Sequence, residues 1–331
     1  AMRLSIIIIT CRPGGIDVLI SGLSRQEFDM RDCEVIVVDA LYSRRRELVA
    51  DKFAQAKLRL VHVPPRQRIW PLDACPQARN AAIAKASGEL LLFLVDFSWC
   101  PPKCLSEHWG VWEHFNKTKA GMGAHRYLYP PELAYTLPEY APIRRFKPNE
   151  QHGVTYAYDE ADSRAFARDI EAGVYDPHMY SVFHPLLEDP RQIEALSEDP
   201  YFFQADVKLA GAVKIGGNVS GNFAHFKNDG VAKEWALRVN GFDEVWEGHC
   251  YDDVDAGHRL ERAGASWMLL DPVATVSIVN PRHLVPHLVR RKSPEETVSL
   301  YRSRENDSSI VVAENSYKIS DVKRMEPWWY S

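Results

Sequence analysis

The chain has 331 residues, 46% hydrophobic and 26% charged, which is ordinary for a globular protein and long enough for one large domain or two modest ones. That composition excludes a disordered chain, and a formal charge of -5 excludes a surface that is one continuous polyanion-binding field. No stretch approaches 18 apolar residues, so no membrane span is expected, and the opening "AMRLSIIIIT" reads as a strand rather than a signal peptide.

In chain order, "LSIIIIT" (4–10) is a continuous apolar run of the kind buried on both faces of a parallel sheet, followed by the turn "CRPGG" and a helix to about Gln26. "CEVIVVDA" (33–40) repeats the pattern. A helix over 45–56 leads to a third strand, "LRLVHV" (58–63). "PQARNAAIAKASGELLLFLVDFS" then reads as helix, Gly88 and strand, with Asp96 at the strand's carboxyl end. This alternation predicts an α/β sheet with helices on its faces, where ligands bind beyond the carboxyl ends of the strands. Thr10, Asp39 and Asp96 each sit at such an end and are expected to converge on one crevice. Neither GxxxxGK[ST] nor GxGxxG follows the first strand, which excludes the two commonest phosphate loops.

The six cysteines (11, 33, 75, 100, 104 and 250) contain one close pair, Cys100 and Cys104, and lack the second pair that a structural zinc site needs. They read as reduced thiols of a cytoplasmic chain. The clusters Arg44-Arg45-Arg46 and Arg290-Arg291-Lys292 read mainly as solvated surface, with phosphate contacts as the alternative.

Residues 125–206 are rich in Tyr, Pro, Asp and Glu, show no clean period apart from the helical "DSRAFARDIEAGVYD", and read as an insertion on the core. Regular patterning returns from 207 with "VKLAGAVKIGGNVSGNFAHF" and "WALRVNGFDEVWEG" and ends in the strand "SWMLLDPVATVSIV". Residues 286–331 read as a polar tail closing in "EPWWYS".

The densest chemical signal is "GHCYDDVDAGHRLERAG" (248–264). A helix starting near Asp252 carries Ala256, Leu260 and Ala263 as its apolar stripe, pairs Asp255 with Arg259 at i, i+4, and stops at Gly264. Acidic residues in a first turn complement the helix dipole, which explains one or two of the three aspartates. Asp253 falls within about one residue step of the apolar stripe, so an inward carboxylate is expected there, needing a partner or a chemical role.

Together these residues resemble the GT-A glycosyltransferases, most like family 2, with a galactosyltransferase or chondroitin-polymerase-like C-terminal motif. The resemblance rests on a first strand ending in Thr10, a second ending in Asp39, on "ARNAAIAKASGELLLFLVDFS", and on "NGFDEVWEGHCYDDVDAGHRLERAG", the most specific of the four. It covers roughly residues 1–105 and 207–285. It implies a Rossmann-like, mostly parallel nucleotide-binding sheet with helices on both faces and a mid-chain insertion. The donor half would be 1–124, the acceptor-side insertion 125–206, the acceptor and catalytic half 207–285, and the tail 286–331.

The implied activity is transfer of a hexosyl group from a nucleotide-diphosphate sugar, UDP-sugar favoured, to an acceptor hydroxyl. Thr10, Arg12, Asp39, Arg79, Asn80 and Asp96 would serve the donor, Asp253 would be the general base of an inverting reaction, and Asp252 and Trp246 would meet the acceptor. A base needs to be ionised and within hydrogen-bond reach of its proton, and a helix N-terminus favours ionisation.

The family's Asp-x-Asp metal motif is damaged here. Alignment on Gly88-Glu89 puts Val95 and Phe97 at its two acidic positions and leaves Asp96 between them. The resemblance still implies a divalent metal, Mn or Mg, with Asp96 and His283 as its ligands, and Arg12, Arg66 or Arg68 as cations able to share its charge. The loop after Asp39 also departs from the family's Asp-Asp followed by Gly-Ser, reading "DALYS". The expected acceptor is a saccharide or another hydroxyl-bearing molecule; a modified nucleic-acid base is less favoured. The same residues also fit a retaining transferase, or a lapsed domain that only binds a nucleotide sugar.

Overall fold

The structure is a computed structural model that describes residues 2–10, 16–64, 75–96, 98–128, 146–147, 155–156, 218–246, 251–278, 294–305 and 307–322. The first half alternates as read from the sequence: β1 (Leu4–Thr10), α1 (Ile16–Leu23), β2 (Cys33–Asp39), α2 (Tyr42–Gln55), β3 (Leu60–Val63), α3 (Cys75–Lys85) and β4 (Leu90–Val95). There follow β5 (Ser98–Trp99), α4 (Cys104–His114), β6 (Lys119–Leu128), and the short pair β7 (Phe146–Lys147) and β8 (Thr155–Tyr156). The second half adds β9 (Asn218–Val219), β10 (Asn228–Ala232), α5 (Lys233–Arg238), α6 (Asp252–Arg262), β11 (Ser266–Ile278), α7 (Pro294–Glu305) and α8 (Ile319–Val322).

Nine strands form one sheet in the order β3-β2-β1-β4-β10-β6-β11-β5, with β9 pairing β11 beside that path. β3, β2, β1 and β4 are mutually parallel, β10 runs antiparallel between β4 and β6, and β6 and β11 are again parallel to each other. The fold is therefore a mixed, mostly parallel α/β sheet. Its apolar strands have a direct physical cause. Ile7, Ile36, Val38, Leu91 and Phe93 pack on one face with α3, α6 and α8, while Leu4, Ile6, Ile8, Val35, Val37 and Leu92 pack on the other with α1, α2 and α4. A strand covered on both faces has no solvent side to alternate with, so the hydrophobic run is continuous.

The register places the three polar strand ends side by side. Thr10 is opposite Asp39, and Ile9 is opposite Val95, so Asp96 follows on the strand flanking β1 on its other side.

Two parts of the sequence reading differ from the structure. The stretch expected as a tail is, over 294–322, packed against the core: Arg304 donates to Asp243 Oδ2 at 2.5 Å and Asp255 Oδ1 at 3.2 Å, Arg262 donates to the carbonyls of Ile310 and Glu305, and Ile319 is 1% exposed. The arginine cluster 44–46 is split, since Arg45 is buried while Arg44 and Arg46 are exposed. Among the described residues no helix is long and apolar enough to cross a membrane, and Cys33, Cys75, Cys100 and Cys104 are free thiols. The insertion's lone helix and most of 125–206 lie outside the described residues, as do Arg12, Arg66, Arg68 and His283.

Candidate active site

β1 and β2 end where α2 begins, and the first turns of α2 bring Arg45 back over the strand ends. Its guanidinium meets Asp39 through two bonds, Nε to Oδ2 at 2.7 Å and Nη2 to Oδ1 at 2.8 Å. Arg45 Nη2 also donates to Thr10 Oγ1 at 3.1 Å, and Thr10 Oγ1 donates to Asp96 Oδ2 at 2.6 Å. Asp39 accepts the Leu41 N–H at 2.8 Å and lies 3.0 Å from His62 Nε2, contributed by β3. The three strand-end residues thus form one buried polar chain, as their positions predict, with Arg45 at its centre.

That arrangement changes the role expected of Asp39. A carboxylate offers about four acceptor sites, and Arg45, His62 and Leu41 fill all four on a side chain that is fully buried. Burial by itself raises its carboxyl, but the charges and hydrogen bonds of Arg45 and His62 outweigh that and hold it down at about 2. Asp39 organises Arg45 and His62, and in this conformation it has no lone pair left for a nucleoside.

The second group is built on α3 and the head of α6. Arg79 Nη1 donates to Asp252 Oδ2 at 2.5 Å, and its guanidinium lies 4.8 Å from the Phe242 ring centre. Asn80, one residue on, donates to the Phe242 carbonyl at 2.8 Å and accepts the Phe242 N–H at 2.8 Å. The contact is close because Gly241 has φ +68° and no side chain; a Cβ there would lie 2.4 Å from Asn80 Oδ1. Arg79 and Asn80, expected to support the donor pocket, face the loop before α6 and α6 itself.

The three aspartates of α6 divide by partner. Asp255 accepts from Arg259 at 2.7 Å and from Arg304 at 3.2 Å, so the predicted i, i+4 pair is present and strengthened by a second arginine. Asp252 is 3% exposed and tied to Arg79. Burial pushes its carboxyl up to about 7; Arg79 opposes that rise, and neighbouring Asp253 and Asp255 add to it. Asp253 is half-buried, its Oδ1 accepts the Val254 N–H at 3.0 Å, and it makes no hydrogen bond or ion pair with another side chain among the described residues. The inward carboxylates are therefore Asp252 and Asp255, and Asp253 is the most open of the three. Asp253, expected to face inward from the apolar stripe, lies off the buried face because the helix packs through Asp252, Asp255 and Arg259 as well as through Ala256 and Leu260.

Tyr251, immediately before α6, has φ 63°, a left-handed conformation uncommon for a tyrosine, and its ring stacks on Tyr301 of α7 at 4.3 Å. Trp246 is 2% exposed, with Nε1 lacking a hydrogen-bond partner among the described residues. A ring that closed presents no face to a sugar in this conformation.

The described residues do not by themselves make a cation site. Asp96 is 3% exposed and accepts the Thr10 hydroxyl, its sequence neighbours Val95 and Phe97 carry no ligand oxygen on their side chains, and no group of three His, Cys, Asp or Glu side chains suited to a metal occurs among the described residues. Arg45, His62 and Arg304 were missed by sequence reasoning. The one available signal was the spacing of Asp39 and Arg45 across the start of a helix.

No family model matches the chain, and a search of curated proteins by sequence finds no match. Solved structures do match. The chain is similar to Staphylococcus aureus TarS 1-349 in complex with UDP-GlcNAc at TM-score 0.52 and 13% identity, over 91% of this chain and 65% of that one. It is similar to GalNAc-T7 with UDP, GalNAc and Mn2+ at TM-score 0.52 and 9% identity, over 99% of this chain and 53% of that one. The chain has the GT-A fold seen in those glycosyltransferases. It spans about two thirds of the first and about half of the second.

Proposed function

We propose that the chain is a glycosyltransferase of the inverting type, related to family 2 and moving a hexosyl group from a nucleotide-diphosphate sugar, UDP-sugar favoured, to an acceptor hydroxyl, with Asp253 as general base. One observation carries the assignment: of three carboxylates at the head of α6, two are committed to arginines and Asp253 alone is half-open and unpaired by any side chain among the described residues. In the reaction the acceptor oxygen attacks the anomeric carbon, its proton passes to an Asp253 oxygen, and the bond from that carbon to the diphosphate oxygen breaks with the electron pair leaving on the nucleotide. Asp253 sits in the first turn of α6, and its Oδ1 accepts the Val254 N–H at 3.0 Å.

The donor belongs at the strand ends, beside Thr10 and Asp96, with Arg45 supplying fixed positive charge behind them. Asp252 is held by Arg79 and braces the acceptor side of the base. The favoured acceptor is a saccharide, and the stacking of Tyr251 on Tyr301 of α7 puts an aromatic pair at the residue that precedes Asp252.

The test is donor hydrolysis and transfer across UDP, GDP, CMP and dTDP sugars, each with Mn, with Mg and with chelator, because Asp96 is the only carboxylate among the described residues at the expected metal position. Wild type is expected to release one nucleotide diphosphate. Asp253→Asn is expected to lose at least about 100-fold in turnover while binding that nucleotide unchanged. An Asn variant that turns over like wild type removes Asp253 as the base, and absence of binding to every donor removes the glycosyltransferase reading.

A further inference from the structure

We infer that Arg79 is a positioning residue of the carboxylates at the head of α6, not a contact to the donor. The inference rests on the glycosyl-transfer reading for its consequence and on geometry for its substance. Arg79 leaves α3 and ends at Asp252, where Nη1 donates to Oδ2 at 2.5 Å with the two side chains 12% and 4% exposed. Its guanidinium lies over two phenyl rings, 4.8 Å from the centre of Phe242 and 5.8 Å from that of Phe226. Both rings belong to the core cluster that carries Ala256 and Leu260 of α6. The cation is therefore walled on one side by aromatic faces and closed on the other by a carboxylate.

The charges around it point the same way. Asp252, Asp253, Asp229 and the Cys75 sulfur all act on Arg79 and favour its charged form against the penalty of burial. Asp229 on β10 is 1% exposed and accepts the N–H groups of His225 and Phe226. One carboxylate, Asp252, thus touches the guanidinium, and the charges of Asp253 and Asp229 add to its pull. Swinging Arg79 toward the strand ends to meet a diphosphate leaves Asp252 buried without its cation, a costly state. Keeping it in place fixes Asp252, and through the helix backbone it fixes the orientation of Asp253, the next residue. Arg79 acts on the reaction only through these carboxylates.

Full-length Arg79→Met and Arg79→Lys separate this role from a donor contact. Met keeps the apolar stem on Phe242 and removes the charge; Lys keeps the charge and loses the rigid fork. Two quantities are read: UDP affinity by calorimetry, and kcat against KM for the donor in the transfer assay. The expected result is UDP affinity within about 2-fold of wild type in both variants, a fall of roughly 100-fold in kcat for Met with donor KM held, and partial recovery in Lys. A purely structural role does not split kcat from KM or order the two variants by charge.

A fall of about tenfold or more in UDP affinity with kcat held makes Arg79 a donor contact and overturns the inference, as does a Met variant with wild-type kcat. If Met does not fold, Lys carries the same comparison. If wild type binds UDP but transfers to no acceptor, the proposed reaction fails by itself, and the affinity comparison still decides on which side Arg79 works.

Discussion

Two buried carboxylates, Asp39 at the end of β2 and Asp252 at the head of α6, each meet one arginine, and their charge states diverge. Asp39 is held at about 2 and Asp252 is pushed up to about 7. Burial raises both, so burial does not separate them. What differs is the company. Arg45 meets Asp39 with two N–H groups and His62 and the Leu41 amide add two more donors, whereas Asp252 receives one N–H from Arg79 and has Asp253 and Asp255 as close neighbours of like charge. One region is a saturated knot at the strand ends; the other is an under-neutralised cluster at the head of a helix.

The strongest way to break the contrast is to empty the knot of its cation. Arg45→Met leaves Asp39 buried without its cation and two of its hydrogen bonds and deprives Thr10 of a donor, and the expected loss is about 3–5 kcal/mol in urea unfolding. Arg45→Met together with Asp39→Leu removes both charges and is expected to recover much of that loss, since a buried ion pair replaced by apolar groups is often near neutral. A single variant as stable as wild type would show that solvent reaches Asp39 and that the knot is not a closed one.

The second way is acid titration of stability, because the two groups bend the curve in opposite directions. Asp39 binds its proton less readily folded than unfolded, so its stabilisation is present above about pH 4 and is lost as the pH falls toward 2. Asp252 binds its proton more readily folded than unfolded, so its contribution is greatest below about pH 4 and is lost as the pH rises toward 7, at up to about 1.4 kcal/mol per pH unit. Asp252→Asn is expected to flatten the limb between pH 4 and 7 without abolishing it, because burial pushes Asp229 up to about 7 as well. The limb below pH 4 should be unchanged. Unfolding midpoints from pH 8 to 3 check this, and an Asn variant that keeps the full neutral slope would assign it to Asp229 or elsewhere.

How far the sequence discloses these two regions follows from the distance over which each contact acts. β1, β2 and β4 are legible because an apolar run has one meaning when helices cover both faces, and their polar ends fall together by register. Asp255 with Arg259 is legible because it is four residues long on one helix. His62 reaches Asp39 from 23 residues away and Arg304 reaches Asp243 from 61 away, and no local period encodes either. Arg79 and Asn80 were visible as residues, but not in direction. Which way α3 turns them is decided by Phe226, Phe242 and Gly241, all more than a hundred positions later.

The smallest effect is expected at Trp246, which the sequence resemblance offers to the acceptor. In the structure its indole is 2% exposed, 6.2 Å from Tyr251, and its Nε1 finds no acceptor among the described residues. Trp246→Phe therefore removes an unsatisfied donor while leaving a modest void, two terms of opposite sign that leave about 1 kcal/mol of destabilisation. Acceptor and donor KM should hold, since the ring is closed to ligand. A rise in acceptor KM at unchanged stability would mean that the head of α6 opens and presents this ring. The open cluster would then extend from Asp253 back to Trp246, while the Asp39 knot at the strand ends stays shut.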